Sequence, residues 1–185
     1  MKELSLNILD IAQNSVKAGA KHLEILLEQT GAVLRITITD DGTGMSPAFA
    51  AAAADPFTTT RTTRKVGMGL PLFRLAAEQT GGTFSIESRQ AGESGGAHGT
   101  CVCAAFHTEH VDCAPLGDVA STLVTLIQGS PELDLTYLYR SESGEKRLST
   151  TEMREILGGV PLNSPEVLSW VNEFIGDGKP EQDRK

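Results

Sequence analysis

Ile38-Thr39-Asp40-Asp41-Gly42-Thr43-Gly44-Met45 decides how the rest of the chain is read. The residues leading into it (Val33, Leu34, Arg35, Ile36, Thr37, Ile38, Thr39) alternate apolar and polar, which predicts a half-buried strand. The strand ends at Asp40 and breaks on two glycines spaced by one residue. A carboxylate at a strand end, followed by a turn open to close approach, can accept a hydrogen bond from a flat base and leave room for its ring. An ordinary Asp-Gly surface turn carries the same letters. Three other segments give the stretch its meaning.

The first lies upstream. Residues 3–18 predict a helix, with Leu4, Ile8, Ile11 and Ser15 at helical spacing on one side. Asp10, Asn14 and Lys17 follow at i, i+4 and i+7 and share another face. An acid, an amide and a base on one stripe can hold a hydrated divalent cation and a phosphate; a solvated polar face has the same pattern. The second is Pro56 to Lys65, a hydroxyl-rich, basic segment that reads as a loop. The third is Val66-Gly67-Met68-Gly69-Leu70-Pro71, directly before an apolar helical run. Glycines leading into a helix with an early proline make an anion site, because the free first-turn N–H groups and the helix dipole favour negative charge. A loop followed by a core helix is the plainer alternative.

Taken together, these segments resemble the ATP-binding domain shared by gyrases, the large heat-shock chaperones, histidine kinases and mismatch-repair ATPases, the Bergerat or GHKL fold. Asn14, within Leu9 to Ala18, is similar to the family's N box. Asp40 to Met45 is similar to its first glycine box, Gly67 to Leu70 to its second, and Gly99-Thr100 to its third. The resemblance implies an ATP site containing Asn14, Lys17, Asp40, Gly42, Gly44, Met45, Gly67, Met68, Gly69, Leu70 and Thr100. It implies that Asn14 binds Mg2+ and that Asp40 accepts from the adenine amine, with Thr100 in the same water network. It implies a mobile lid over the phosphates at residues 56–66, where Thr59, Thr60, Arg64 and Lys65 would meet them. ATP-hydrolysing members carry Glu four residues before the Asn as general base; here the position is Asp10, one methylene shorter. Lys17, three residues after the Asn, is as in histidine kinases, where the hydrolases tend to carry Asp.

Composition sets the outer limits. The 185 residues are 39% hydrophobic and 22% charged, ordinary for one globular domain with an appendage. A net charge of −8 and 5% aromatics argue against non-specific nucleic-acid binding and base-stacking platforms. No apolar run approaches the roughly 20 residues that span a bilayer, and the first residues carry no signal-type core. The expectation is a cytoplasmic protein with no membrane partner. Cys101 and Cys103 fall on one side of a strand, and with Cys113 they read as reduced or buried thiols ahead of a metal site.

Further elements follow in order. Strands are predicted at 21–28, 83–88 and 100–107, a helix beginning at Ser46-Pro47, and a helix at 69–80 closed by Gly81-Gly82. The expected fold is an α/β (α+β) two-layer sandwich, a mixed, mostly antiparallel sheet with helices on one face, over residues 1–109. Residues 110–176 predict a helix over 115–128, a strand over 133–139, a short return at 146–148, a helix capped by Thr150 or Thr151 and running to Leu157, and a helix over 165–175. They form a small α/β extension, either a packed subdomain or a docking module. Residues 177–185 read as a disordered tail.

Three functions fit. One is an Mg-ATP-binding switch with slow hydrolysis, acting on a partner protein. The second is a protein kinase of the histidine-kinase or anti-sigma serine-kinase type that phosphorylates a separate protein. The third is a non-catalytic assembly subunit. The resemblance extends to small stand-alone relatives encoded near iron-hydrogenase subunits, and so implies a redox enzyme complex as partner.

Overall fold

The computed structural model describes residues 3–53, 55, 68–92 and 96–176. The expected lid, with Thr59, Thr60, Arg64 and Lys65, lies outside the described residues, as do Gly67 of the expected second glycine box and the expected tail.

Helix α1 (Leu4–Lys17) leads into the hairpin β1 (His22–Thr30) and β2 (Val33–Asp40). Short α2 (Pro47–Ala53), α3 (Gly69–Gln79), β3 (Thr83–Arg89) and β4 (Gly99–His107) follow. Beyond them come α4 (Val119–Gly129), β5 (Asp134–Ser141), β6 (Gly144–Ser149), α5 (Thr150–Leu157) and α6 (Pro165–Gly176). The strands form one six-stranded sheet in the order β3-β4-β2-β1-β5-β6. All neighbours are antiparallel except β1 and β5, which run parallel from His22 opposite Asp134. The extension therefore continues the same sheet through β5.

Period-2 alternation sorts the sheet into two faces. Leu23, Ile25 and Leu27 of β1, Leu34, Ile36 and Ile38 of β2, Val102, Ala104 and Phe106 of β4, and Leu135 and Tyr137 of β5 are buried. Ile8, Ile11 and Ala12 of α1, Phe73 and Ala77 of α3, Leu123 and Ile127 of α4 and Val171 of α6 complete that core. Phe73 is fully buried, with its ring 5.4 Å from Phe106 and 6.4 Å from Phe84. The alternate residues, among them Glu24, Thr39 and Glu87, make the open face. Cys101 and Cys103 lie there, half-buried, and accept hydrogen bonds from the Thr39 and Thr37 hydroxyls at 3.5 and 3.6 Å. Cys113 is half-buried, and burial pushes its thiol up.

Two helix starts differ from the sequence expectation. The helix expected from Pro115 begins at Val119, because Asp118 caps it by accepting from the Ser121 N–H at 3.0 Å. Pro115 and Leu116 instead accept from the N–H groups of Leu4 and Ser5 at 2.9 and 2.8 Å, which satisfies the first donors of α1. Gly117, which follows them, has φ +79°, and a Cβ there would meet Glu3. The cap of α5 is Ser149, accepting from the Glu152 N–H, rather than a threonine one or two residues later.

Candidate functional site

The site grows from the row of the sheet that ends β2. Asp40 pairs across the strands with Thr100, and Thr100 with Ser88, all on the helix-covered face. The Asp40 carboxylate is held at both oxygens. Oδ1 accepts from the Gly42 N–H at 2.8 Å, and Oδ2 from the Ser15 hydroxyl of α1 at 2.5 Å. The Ser15 hydroxyl also lies 3.4 Å from the Ile11 carbonyl. It has one proton, and the short contact to the carboxylate takes it. The Ser88 and Thr100 hydroxyls are 2.8 Å apart, and Ser88 also accepts from the Met45 N–H at 2.8 Å.

The turn after Asp40 is threaded between two walls. The Thr43 N–H donates to the Ala18 carbonyl at 3.0 Å, and the Thr43 carbonyl accepts from the Ala91 N–H at 2.8 Å. Its glycines are required by that fit. A Cβ on Gly42 would sit 3.0 Å from the Ala18 methyl. Gly44 has φ +65°, and a Cβ there would lie 1.9 Å from the Arg89 carbonyl oxygen. His98 Nδ1 donates to the Gly42 carbonyl at 2.6 Å and closes the turn from the far side. Burial pushes the carboxyl of the neighbouring Asp41 up. The His22 and Lys21 backbone N–H groups and the His22 ring outweigh that and hold it below the ordinary carboxylate range.

Asp40, Ser88, His98 and Thr100 border an open groove of about 590 Å³, with Pro47 and Ala50 of α2 on its other side. Neither α1 nor the start of α3 lines that groove. The connection from Asp40 to α3 runs through α1 instead. Ser15 touches Asp40, and five residues earlier Asp10 touches the start of α3, where a Cβ on Gly69 would be 3.0 Å from the Asp10 Cβ.

Asp10 is exposed, Asn14 half-buried and Lys17 exposed at the last residue of α1, so the expected polar stripe exists along this helix. Gly69 and Leu70 are buried in the first turn of α3. Met68, at the N-cap, is exposed and offers no side-chain bond to that turn's N–H groups. The structure thus joins Asp40, Gly42, Met45 and Thr100 in one hydrogen-bonded unit, packs Gly44 against the Arg89 carbonyl, and sets Asp10 against Gly69. Sequence reasoning missed Ser15, Ser88 and His98 as members of that unit. Ser15 alone had a signal, a hydroxyl in a stripe otherwise apolar.

The donor set suits a magnesium nucleotide. Asp10 and Asn14 offer hard oxygens one helical turn apart on an accessible stripe, as Mg2+ with retained waters prefers. The α3 start offers backbone N–H groups to an anion.

Comparison with known proteins identifies the family and the fold. Residues 2–110 match the family model of the histidine kinase-, DNA gyrase B- and HSP90-like ATPases. The chain is 32% identical over 115 residues to the tetrathionate sensor histidine kinase TtrS of Salmonella typhimurium, covering 62% of this chain and 19% of that protein. It is 34% identical over 91 residues to the C4-dicarboxylate transport sensor protein DctS of Rhodobacter capsulatus, covering 46% and 14%. The chain thus spans less than a fifth of these curated relatives. In fold it is similar to the Aquifex aeolicus MutL ATPase domain complexed with ADP, at TM-score 0.55 and 15% identity, covering 85% of this chain and 70% of that one. That coverage reaches past residue 110 into the extension. Among the described residues no helix is long and apolar enough to cross a membrane. The chain therefore carries a GHKL-type ATP-binding domain and belongs to the histidine kinase-, DNA gyrase B- and HSP90-like ATPase family.

Proposed function

We propose that this chain binds Mg-ATP between the Asp40 turn, α1 and the start of α3, and acts as a nucleotide-state switch with slow hydrolysis on a partner protein. The observation that carries the reading is the Asp40 carboxylate. It is locked at the end of β2 by Ser15 and the Gly42 N–H, beside Thr100 and at the rim of an open groove. A carboxylate fixed in this way is an acceptor only, and selects a ring that presents an amine. Asn14 would hold the hydrated Mg2+, Lys17 would meet a phosphate, and the first turn of α3 would receive the phosphates. The bound ion would neutralise phosphate charge and orient the γ-phosphoryl group. Asp10, accessible on α1 against Gly69, would act as general base toward a water.

Calorimetry with Mg-ATP on the wild type and on Asp40→Asn tests this reading. Binding in the micromolar to millimolar range is expected for the wild type, and its loss in the folded variant, since an amide can turn a donor toward the adenine amine. Unchanged affinity in Asp40→Asn would overturn the role of Asp40.

A kinase acting on a separate protein is the second reading. Lys17 one turn after Asn14 favours it, as does similarity to a sensor histidine kinase. Label transfer from γ-labelled ATP to a co-purified protein would support it; none after exhaustive capture would leave the switch. The partner we propose from the family resemblance is a redox enzyme complex such as an iron hydrogenase. Capture with the ATP-loaded against the ADP-loaded protein tests that identity.

A further inference from the structure

The family match ends at residue 110, yet a chain of contacts leads from beyond it, through His22, to the residue that follows Asp40. Arg154 of α5 donates to the carbonyls of Pro131 and Leu133 at 3.1 and 3.4 Å and pairs with the Asp134 carboxylate. Asp134 opens β5, and its N–H donates to the Lys21 carbonyl at 2.9 Å. Its carboxylate stands 3.3 Å from Nδ1 of His22, the first residue of β1. The other nitrogen of the same ring, Nε2, is 3.8 Å from the Asp41 carboxylate. Asp41 in turn accepts from the N–H groups of Lys21 and His22 at 2.7 and 2.8 Å, and its own N–H donates to the His22 carbonyl at 3.3 Å. One imidazole therefore lies between a carboxylate of the extension and a carboxylate bonded covalently to Asp40.

We propose that His22, Asp134 and Arg154 are positioning residues through which the C-terminal extension sets the nucleotide affinity of the Asp40 turn. The proposal rests on the nucleotide reading above. Its physical content is one of leverage. His22 and Asp41 are partly exposed, so their pairing adds little to global stability. The backbone of Lys21 and His22 is shared, however. It receives β5 through the Lys21 carbonyl, and it holds Asp41 through two N–H groups. A shift of β5 relative to β1 moves Asp41, and Asp41 cannot move without Asp40 and the Gly42 N–H that orients it. An occupant of the extension that displaces α5 or β5 would thereby change how tightly nucleotide is held. By linkage, nucleotide would change the affinity for that occupant by the same factor.

The test uses the full chain. Mg-ATP affinity is measured by calorimetry, and the urea midpoint alongside it, for wild type, His22→Gln, Asp134→Asn, Arg154→Lys and the His22→Gln/Asp134→Asn double variant. The His22 ring resonances of the wild type are followed during a nucleotide titration. Expected are a weakening of about twofold to fivefold for each of His22→Gln and Asp134→Asn at an unchanged urea midpoint. The double variant is expected to be non-additive, Arg154→Lys to retain near wild-type affinity, and the His22 resonances to move on nucleotide addition. His22→Gln and Asp134→Asn variants that bind like the wild type, or His22 resonances unmoved at saturation, overturn the coupling while leaving the site intact. A folded wild type that binds no Mg-ATP overturns the nucleotide reading itself, and the coupling with it.

Discussion

Replacing Ser15 by alanine removes one atom from the anchor of Asp40 and leaves the helix otherwise unchanged. Ser15 is 4% exposed, and its hydroxyl lies 2.5 Å from the carboxylate. A hydrogen bond to a charged group is worth about 1.5–3 kcal/mol. Alanine returns up to about 0.5 kcal/mol of helix propensity, and the half-buried Asp40 keeps its bond from Gly42 and gains water through the groove. The net loss is about 1–2 kcal/mol. For a chain of 185 residues that lowers Tm by about 2–4 °C per kcal/mol. Urea unfolding of the wild type, Ser15→Ala, Asp40→Ala and the double variant would isolate the pair, with a coupling energy of about 1 kcal/mol or more. Weaker Mg-ATP binding is expected in Ser15→Ala, since the carboxylate loses one of its two fixed contacts. A variant within a few tenths of a kcal/mol of wild type, or an additive double variant, would refute the claim that Ser15 orients Asp40.

Other expectations follow from the same geometry. Gly44→Ala forces a Cβ onto the Arg89 carbonyl at a φ that alanine avoids, so it should lower the urea midpoint by well over 1 kcal/mol equivalent and abolish nucleotide binding. A soluble variant of wild-type stability would contradict the contact. Asp10→Asn should retain Mg-ATP binding and lose slow turnover in a coupled phosphate assay; equal turnover would place the base elsewhere. The Asp41 carboxyl is depressed in the folded state from its ordinary 3.8. It binds protons more readily unfolded, so its contribution is present above that value and is lost as pH falls through the lower folded value. The stability gap between wild type and Asp41→Asn should be constant near neutrality and shrink in acid; a gap independent of pH down to full acid unfolding would refute it. Burial raises the Tyr137 hydroxyl above its ordinary 10.0. The unfolded chain therefore releases that proton first, stability falls above about pH 10, and Tyr137→Phe should flatten the fall.

What the sequence disclosed divides by range. The alternation of β1, β2 and β4 and the periodicity of α1 and α3 are local, and each appears in the structure within a residue or two of its expected place. The order of the boxes was legible for the same reason: each is a short string whose glycines have a local purpose, as Gly42 and Gly44 show. Ser15 was read as a small member of an apolar stripe, since nothing along the helix says that its proton points to a residue 25 positions away. Ser88 and His98 have meaning only through β3–β4 pairing and a loop contact with Gly42. The start of α4 was misplaced because Pro115 and Leu116 fit a helix locally. Their carbonyls are instead taken by the N–H groups of Leu4 and Ser5 at the other end of the chain. The parallel seat of β5 beside β1 has no local signature at all, and the extension's place in the sheet was therefore not readable.

That parallel seat has a consequence for the chain as it leaves the ribosome. The hairpin of β1 and β2 and its neighbours β4 and β3 are all complete by His107, but the outer edge of β1 finds its partner only when Asp134 to Arg140 emerge. Until then a strand carrying Leu23, Ile25 and Leu27 presents a row of unmatched peptide groups to any other nascent polypeptide. Truncation just after the family-matched segment would freeze the molecule at that vulnerable stage, and self-association through β1 is the failure to expect of it.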